Sequence, residues 1–226
     1  MTWVKICGIT NLEDAEIAVD AGADAVGFVF YEKSPRNVSP DVAREIVARL
    51  PARVEKVGVF VNGSSEQLRR RIEEANLTGA QLHTELTRSS SLMAELNGDC
   101  KVYPVLSAGQ SLGGSGSFES LKKFQSSSKT HRSAAIFLDS GNLEQPGGTG
   151  KVFDWEKATP LAQEIKNFSK LVVAGGLTPD NVAEAMRILK PWGVDVSSGV
   201  ESRPGKKDPE KVRAFISAVR TADKRA

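Results

Sequence analysis

Short apolar, β-branched runs recur along the chain at 4–8, 25–30, 57–61, 80–83, 102–106, 134–139, 171–174 and 193–196. Between them lie segments whose apolar side chains return every three or four positions. Examples are Val42, Ile46 and Leu50; Leu68, Ile72 and Ala75; Val182, Met186 and Leu189; and Val212, Phe215, Ile216 and Val219. The first pattern predicts strands, and the second predicts helices with one apolar face. Helix starts are marked where a capping residue precedes a proline or an acid, as in Ser39-Pro40-Asp41, Ser64-Ser65-Glu66, Thr178-Pro179-Asp180 and Asp208-Pro209-Glu210. Strands that are apolar almost throughout are covered on both faces, which points to a parallel sheet. Eight strand and helix units in 226 residues predict an α/β fold, one (β/α)8 barrel domain over 1–226. An open doubly wound sheet would use fewer strands and place a glycine-rich dinucleotide turn after the first. Ile6-Cys7-Gly8-Ile9-Thr10 is no such turn.

One stretch breaks the rhythm. Residues 107–133 are rich in Ser and Gly, with Gly113-Gly114-Ser115-Gly116-Ser117 and Ser126-Ser127-Ser128, and read as a mobile, solvated loop holding a short helix over 118–124. Elsewhere the composition is that of a folded globular chain, at 40% hydrophobic and 26% charged residues. The net charge is +2, from 30 basic and 28 acidic residues, and the basic ones are scattered, which argues against a nucleic-acid partner. Cys7 and Cys100 are the only cysteines, so neither a disulfide framework nor paired metal-ligand spacing is expected, and a reducing cytoplasm is the default compartment. No leader-like segment and no apolar run of about 18 residues suggests export or a membrane.

In a barrel of this kind the C-terminal ends of the strands converge on one mouth, where active sites are built. The expected ends are Cys7, Phe30 leading to Ser34-Pro35-Arg36, Asn62, His83, Asp139, Gly175-Gly176 and Ser197-Ser198-Gly199. The last two are the seventh and eighth strand loops, a common phosphate site of the fold. Their glycines let backbone N–H groups approach an anion, and a helix N-terminus adds its dipole. A small phosphorylated molecule is the expected ligand.

Cys7 and Asp139 facing one substrate suggest proton transfer, one group taking a proton and the other giving one. A thiol at its ordinary pKa of ~8.5 must be helped to ionise, and a carboxyl near ~3.9 must be raised, by burial for example, to serve as an acid. Arg36 fits a two-bonded clamp on a carboxylate, or plain solvation. His83 fits an orienting or filling role; with two histidines and no ligand spacing, no metal is expected. Asp195 reads equally as a contact to a substrate hydroxyl or as a brace for its loop.

Taken in order, Lys5-Ile6-Cys7-Gly8-Ile9-Thr10, Ser34-Pro35-Arg36, Val57-Gly58-Val59-Phe60-Val61-Asn62, Gln81-Leu82-His83, Gly147-Gly148-Thr149-Gly150 with Phe153-Asp154-Trp155, Ala174-Gly175-Gly176-Leu177 and Asp195-Val196-Ser197-Ser198-Gly199-Val200-Glu201 closely resemble the phosphoribosylanthranilate isomerase family. The resemblance spans nearly the whole chain. It implies a cofactor-free Amadori rearrangement in tryptophan biosynthesis, converting N-(5'-phosphoribosyl)anthranilate to 1-(2-carboxyphenylamino)-1-deoxyribulose 5-phosphate. It puts Cys7 on the family's general base, Asp139 on its general acid, Arg36 on the anthranilate carboxylate, and the two glycine-rich loops on the phosphate. A monomer or homodimer is expected.

Two departures stand out: Thr84 follows His83 where the family commonly has glycine, and 107–133 is long and Ser-rich. The competing readings are another phosphate-binding barrel and a non-catalytic sugar-phosphate sensor. A histidine-pathway isomerase would carry aspartate at the Cys7 position, indole-glycerol-phosphate synthase would need a catalytic lysine pair, and a sensor would need neither Cys7 nor Asp139.

Overall fold

Alternation within each strand decides which side chains face the helices and which face the barrel interior. In β1 (Trp3–Cys7), Val4 and Ile6 join the layer between barrel and helices, while Trp3, Lys5 and Cys7 point inward. The same alternation runs through β2 (Ala25–Phe30), β3 (Glu55–Val61), β4 (Gly79–His83), β5 (Lys101–Ser107), β6 (Ile136–Asp139), β7 (Leu171–Val173) and β8 (Gly193–Val196). In this computed structural model the eight strands are parallel and close as a barrel in chain order, β8 pairing with β1. The structure describes residues 1–96, 98–108, 115–127, 133–141 and 152–225.

The helices are α1 (Leu12–Asp20), α2 (Pro40–Val47), α3 (Ser65–Glu74), α4 (Leu86–Glu95), α5 (Ser115–Ser127), α6 (Trp155–Lys166), α7 (Val182–Leu189) and α8 (Pro209–Asp223). Ser39, Ser64 and Asp208 cap α2, α3 and α8 as expected, and Gln67 completes a reciprocal capping box with Ser64. Thr178-Pro179-Asp180 is different. Asn181 Oδ1 accepts the Thr178 N–H at 2.8 Å, so these residues form a turn and α7 begins only at Val182. The helix expected over 118–124 is present within the longer α5. The loop expected of the Gly-Ser stretch is in part helix, since 115–117 and 126–127 of its Gly-Ser runs belong to α5, and the rest of those runs falls in 109–114 and 128–132, outside the described residues.

Large and small side chains interlock in the N-terminal half of the barrel. Trp3 stacks on Tyr103 and Trp192 and meets Phe137 edge-on. Gly79 and Gly193 make room: a β-carbon at either would come within 2.9 Å of Tyr103 or Trp3. This aromatic plug fills the lower barrel, where Glu55 accepts the Tyr103 hydroxyl, and Cys7, His83 and Asp139 lie at the other end. A feature absent from the sequence reading follows β8: a 3-10 turn (Ser198–Val200) leads into a short hairpin, β9 (Glu201–Arg203) and β10 (Lys206–Lys207). No described helix is long and apolar enough to cross a membrane.

Candidate active site

Two inward positions that pair across neighbouring strands carry opposite charge. Lys5 of β1 is in register with Asp195 of β8, and Lys5 Nζ donates to Asp195 Oδ1 at 2.9 Å with both residues buried. One residue pair further up, Cys7 of β1 is in register with Gly27 of β2. Burial pushes the Cys7 thiol above its ordinary value and Asp195 adds to that push, while Lys5 and Lys207 pull it down without cancelling the rise. Burial also works against the Lys5 ammonium, yet Asp195 and Cys7 together outweigh it and hold its pKa above the ordinary lysine value. Lys5 is therefore charged.

Asp139 ends β6, inward and 4% exposed. Its Oδ1 accepts the Gly141 N–H at 2.7 Å. Burial raises its pKa, outweighing the opposite pulls of that hydrogen bond and of Lys5. Asp195 is likewise pushed up by burial against the pull of Lys5, and the carboxyl of Asp139 adds to the upward push. His83 ends β4, buried, and its Nε2 lies 3.1 Å from the Gln81 amide nitrogen. Burial, reinforced by Lys5, lowers the His83 pKa to about 4, so the ring is neutral. The Lys5–Asp195 pair thus links Cys7, His83 and Asp139.

Arg36 arrives from the loop after β2, positioned by the turn in which Ser34 N–H bonds Tyr31 O and Asn37 N–H bonds Ser34 O. Its fork is engaged: Nε donates to Glu201 Oε1 at 2.8 Å and Nη2 to Glu201 Oε2 at 2.7 Å. Nη1 has no acceptor among the described residues. Lys207 Nζ also reaches Glu201 Oε1, at 2.9 Å, and the carbonyl of Ser197 at 3.2 Å. Burial opposes the Glu201 charge, but Arg36 and Lys207 prevail and hold its pKa below the ordinary glutamate value.

The two glycine-rich loops pack against each other, and the first packs against Ser140, next to Asp139. Gly175 has φ +83°, and a β-carbon there would lie 2.2 Å from Ser140 Oγ and 2.4 Å from Ser140 N, immediately after Asp139. A β-carbon on Gly199 would lie 1.9 Å from the Leu177 carbonyl oxygen. Asn181 Nδ2 donates to Gly176 O at 3.0 Å and fixes the β7 loop. The N–H groups of Gly175 and Gly176 have no protein acceptor among the described residues, and both glycines are partly exposed. Gly8, with φ +78°, abuts both sides of the site: its β-carbon would meet Arg36 Cδ at 2.6 Å and Ser197 Oγ at 2.9 Å.

All ten residues singled out from the sequence, Cys7, Arg36, His83, Asp139, Gly175, Gly176, Asp195, Ser197, Ser198 and Gly199, thus lie at the C-terminal ends of the strands or in the loops that follow them. The motif at 147–150 lies outside the described residues. Thr84 is buried directly behind His83. Sequence reasoning missed Lys5, Glu201, Lys207 and Ser140. Lys5 had a signal, a charge at an inward position of an apolar strand; Glu201 and Lys207 had none, because their meeting depends on the hairpin. Among the described residues no three His, Cys, Asp or Glu side chains are grouped to hold a metal ion. The set can bind an anion at the glycine loops, present a cation at Arg36, and offer a thiol and a carboxyl whose pKa burial raises at a shared mouth.

The family model described as N-(5'phosphoribosyl)anthranilate (PRA) isomerase matches residues 4–218. The N-(5'-phosphoribosyl)anthranilate isomerase of Chlorobaculum parvum is 42% identical over 224 residues, covering 99% of this chain and 97% of that one. A crystal structure of monomers generated from the dimeric phosphoribosylanthranilate isomerase of Thermotoga maritima superposes with TM-score 0.80 at 37% identity, covering 98% of this chain and 100% of that one. A further phosphoribosyl anthranilate isomerase, in complex with reduced 1-(o-carboxyphenylamino)-1-deoxyribulose 5-phosphate, superposes with TM-score 0.79 at 37% identity and the same coverage.

Proposed function

The chain belongs to the N-(5'-phosphoribosyl)anthranilate isomerase family, and from that premise we propose how its own residues perform the reaction. It is an isomerase of tryptophan biosynthesis, rearranging N-(5'-phosphoribosyl)anthranilate to 1-(2-carboxyphenylamino)-1-deoxyribulose 5-phosphate. The observation that carries the assignment of roles is the inward, buried placement of Cys7 and Asp139 around one ion pair, with an anion cradle touching Asp139 through Ser140.

The phosphate sits on the N–H groups of Gly175 and Gly176 and on the turn made by Ser197, Ser198 and Gly199. Arg36, held by Glu201, directs Nη1 at the anthranilate carboxylate. Asp139, protonated on Oδ2 because Oδ1 is committed to the Gly141 N–H, gives its proton to the furanose ring oxygen. The C1'–O4' bond breaks and the anthranilate nitrogen's lone pair forms the Schiff base. Cys7, as thiolate, removes the C2' proton, and the electrons flow back to nitrogen to give an enolamine. Tautomerisation of the enol yields the ketone. Asp195 and neutral His83 flank the sugar hydroxyls. Anchoring at both ends holds the sugar between acid and base, which is where positioning gains its effect. The chain acts as a single barrel domain over 1–226, in the cytoplasm, as a monomer or homodimer.

The test is consumption of N-(5'-phosphoribosyl)anthranilate, followed as loss of anthranilate fluorescence, with the product identified by its C2' ketone in a ¹³C spectrum. Saturable loss with ketone formation is expected. Binding without consumption would leave a sensor and overturn the assignment.

A further inference from the structure

Lys5 is the one charged side chain in β1, and it is completely buried inside the barrel. A buried ammonium is costly without a partner, and Asp195 supplies one at 2.9 Å. The pairing does not by itself explain the surroundings of Nζ on its other side. A β-carbon on Gly27 would lie 2.8 Å from Cys7 Sγ and 3.0 Å from both Cε and Nζ of Lys5. The missing side chain at 27 therefore opens the gap across which thiol and ammonium face each other. The Phe137 ring lies 5.5 Å from Nζ and shields it from water below.

The charged groups facing Cys7 come from several elements: Lys5 on its own strand, Asp195 on β8, Arg36 after β2, and Lys207 on the hairpin. His83 and Asp139 act on the Lys5–Asp195 pair from β4 and β6. Arg36 and Lys207 are already turned to Glu201. Lys5 is the cation with the strongest pull on the thiol.

We propose that Lys5 is a positioning residue for the base, a fixed ammonium that stands across the Gly27 gap from Cys7 and favours its thiolate over its thiol. It touches no substrate atom and acts only through Cys7. The proposal rests on Cys7 being the base. A Lys5 that merely neutralised Asp195 would leave the thiol indifferent to its removal once Asp195 is itself made neutral.

The thiolate is the nucleophile in alkylation, so the rate at which iodoacetamide modifies Cys7, measured against pH in a Cys100→Ser background, reads its ionisation directly. Lys5→Met is expected to move that curve to higher pH by about one unit, slowing alkylation about tenfold at pH 8. The ascending limb of the kcat/KM profile, which reports deprotonation of the base, should move upward with it, with KM little changed. Because Lys5→Met leaves Asp195 unpaired, the double variant Lys5→Met/Asp195→Asn is compared with Asp195→Asn alone, and the same upward displacement is expected. Coincident alkylation curves for Asp195→Asn and the double variant would overturn the proposal, whatever the single variant shows. Alkylation needs no turnover, so a wild type that failed to consume substrate would sink the isomerase reading while leaving the Lys5–Cys7 coupling to be judged on its own.

Discussion

At Glu201 two cations, Arg36 and Lys207, meet one carboxylate, and all three side chains are buried. Removing the charge strands both cations, and breaking a buried pair typically costs about 3–5 kcal/mol. Glu201→Gln is therefore expected to lower stability by about 3 kcal/mol, seen as a lower urea midpoint, and to raise KM by loosening the arginine meant for the substrate carboxylate. The pH dependence has a definite sign. The folded pKa of Glu201 lies below its ordinary value, so its stabilisation is complete above that value and is lost as pH falls through the folded one. The wild type should thus lose stability on acidification over a range where Glu201→Gln loses less. At this scale the sequence was informative about residues whose position follows from their own strand: Cys7, His83 and Asp139 each end a strand of their own. It was silent about Glu201 and Lys207, whose partners are set by a hairpin that no periodicity announces.

Among the elements, the two loops after β7 and β8 carry the tightest backbone demands. Gly175 adopts φ +83° against the Ser140 backbone, and Gly199 lies under the Leu177 carbonyl. A side chain at 175 would be strained in its own φ and would have to displace Ser140, which follows Asp139 directly. Gly175→Ala is expected to weaken competitive inhibition by inorganic phosphate about tenfold, the equivalent of ~1.4 kcal/mol, and to lower kcat as well because the proposed acid, Asp139, moves with its neighbour. Unchanged inhibition would place the anion elsewhere. Most strand positions were legible because inward and outward faces are both apolar, and the caps Ser39, Ser64 and Asp208 announced their helices. The helix start read from Thr178-Pro179-Asp180 was displaced because Asn181 offered the Thr178 N–H a side-chain acceptor and closed a turn first. α1, α4 and α6 were implied only by the repeat; α4, Leu-Thr-Arg-Ser-Ser-Ser-Leu-Met-Ala-Glu, has weak helix formers at its centre and forms by packing Leu86, Leu92 and Met93 inward.

For the whole molecule, the barrel divides into a half that is filled and a half that reacts. Trp3, Tyr103, Phe137 and Trp192 close the N-terminal end, and β8 meets β1 to bring Asp195 beside Lys5 across 190 residues of chain. Closure of the sheet therefore assembles the candidate site as well as the fold, since no segment holds Cys7, Asp139 and the two glycine loops by itself. The shared mouth is what makes Cys7 and Asp139 a pair. The most direct test measures kcat on N-(5'-phosphoribosyl)anthranilate, together with the Kd of the reduced product analogue, for wild type, Cys7→Ala and Asp139→Asn. Each variant is predicted to lose about 10²- to 10⁴-fold in kcat while its Kd stays within about threefold of the wild type. Undiminished kcat in both variants would contradict the assignment of base and acid.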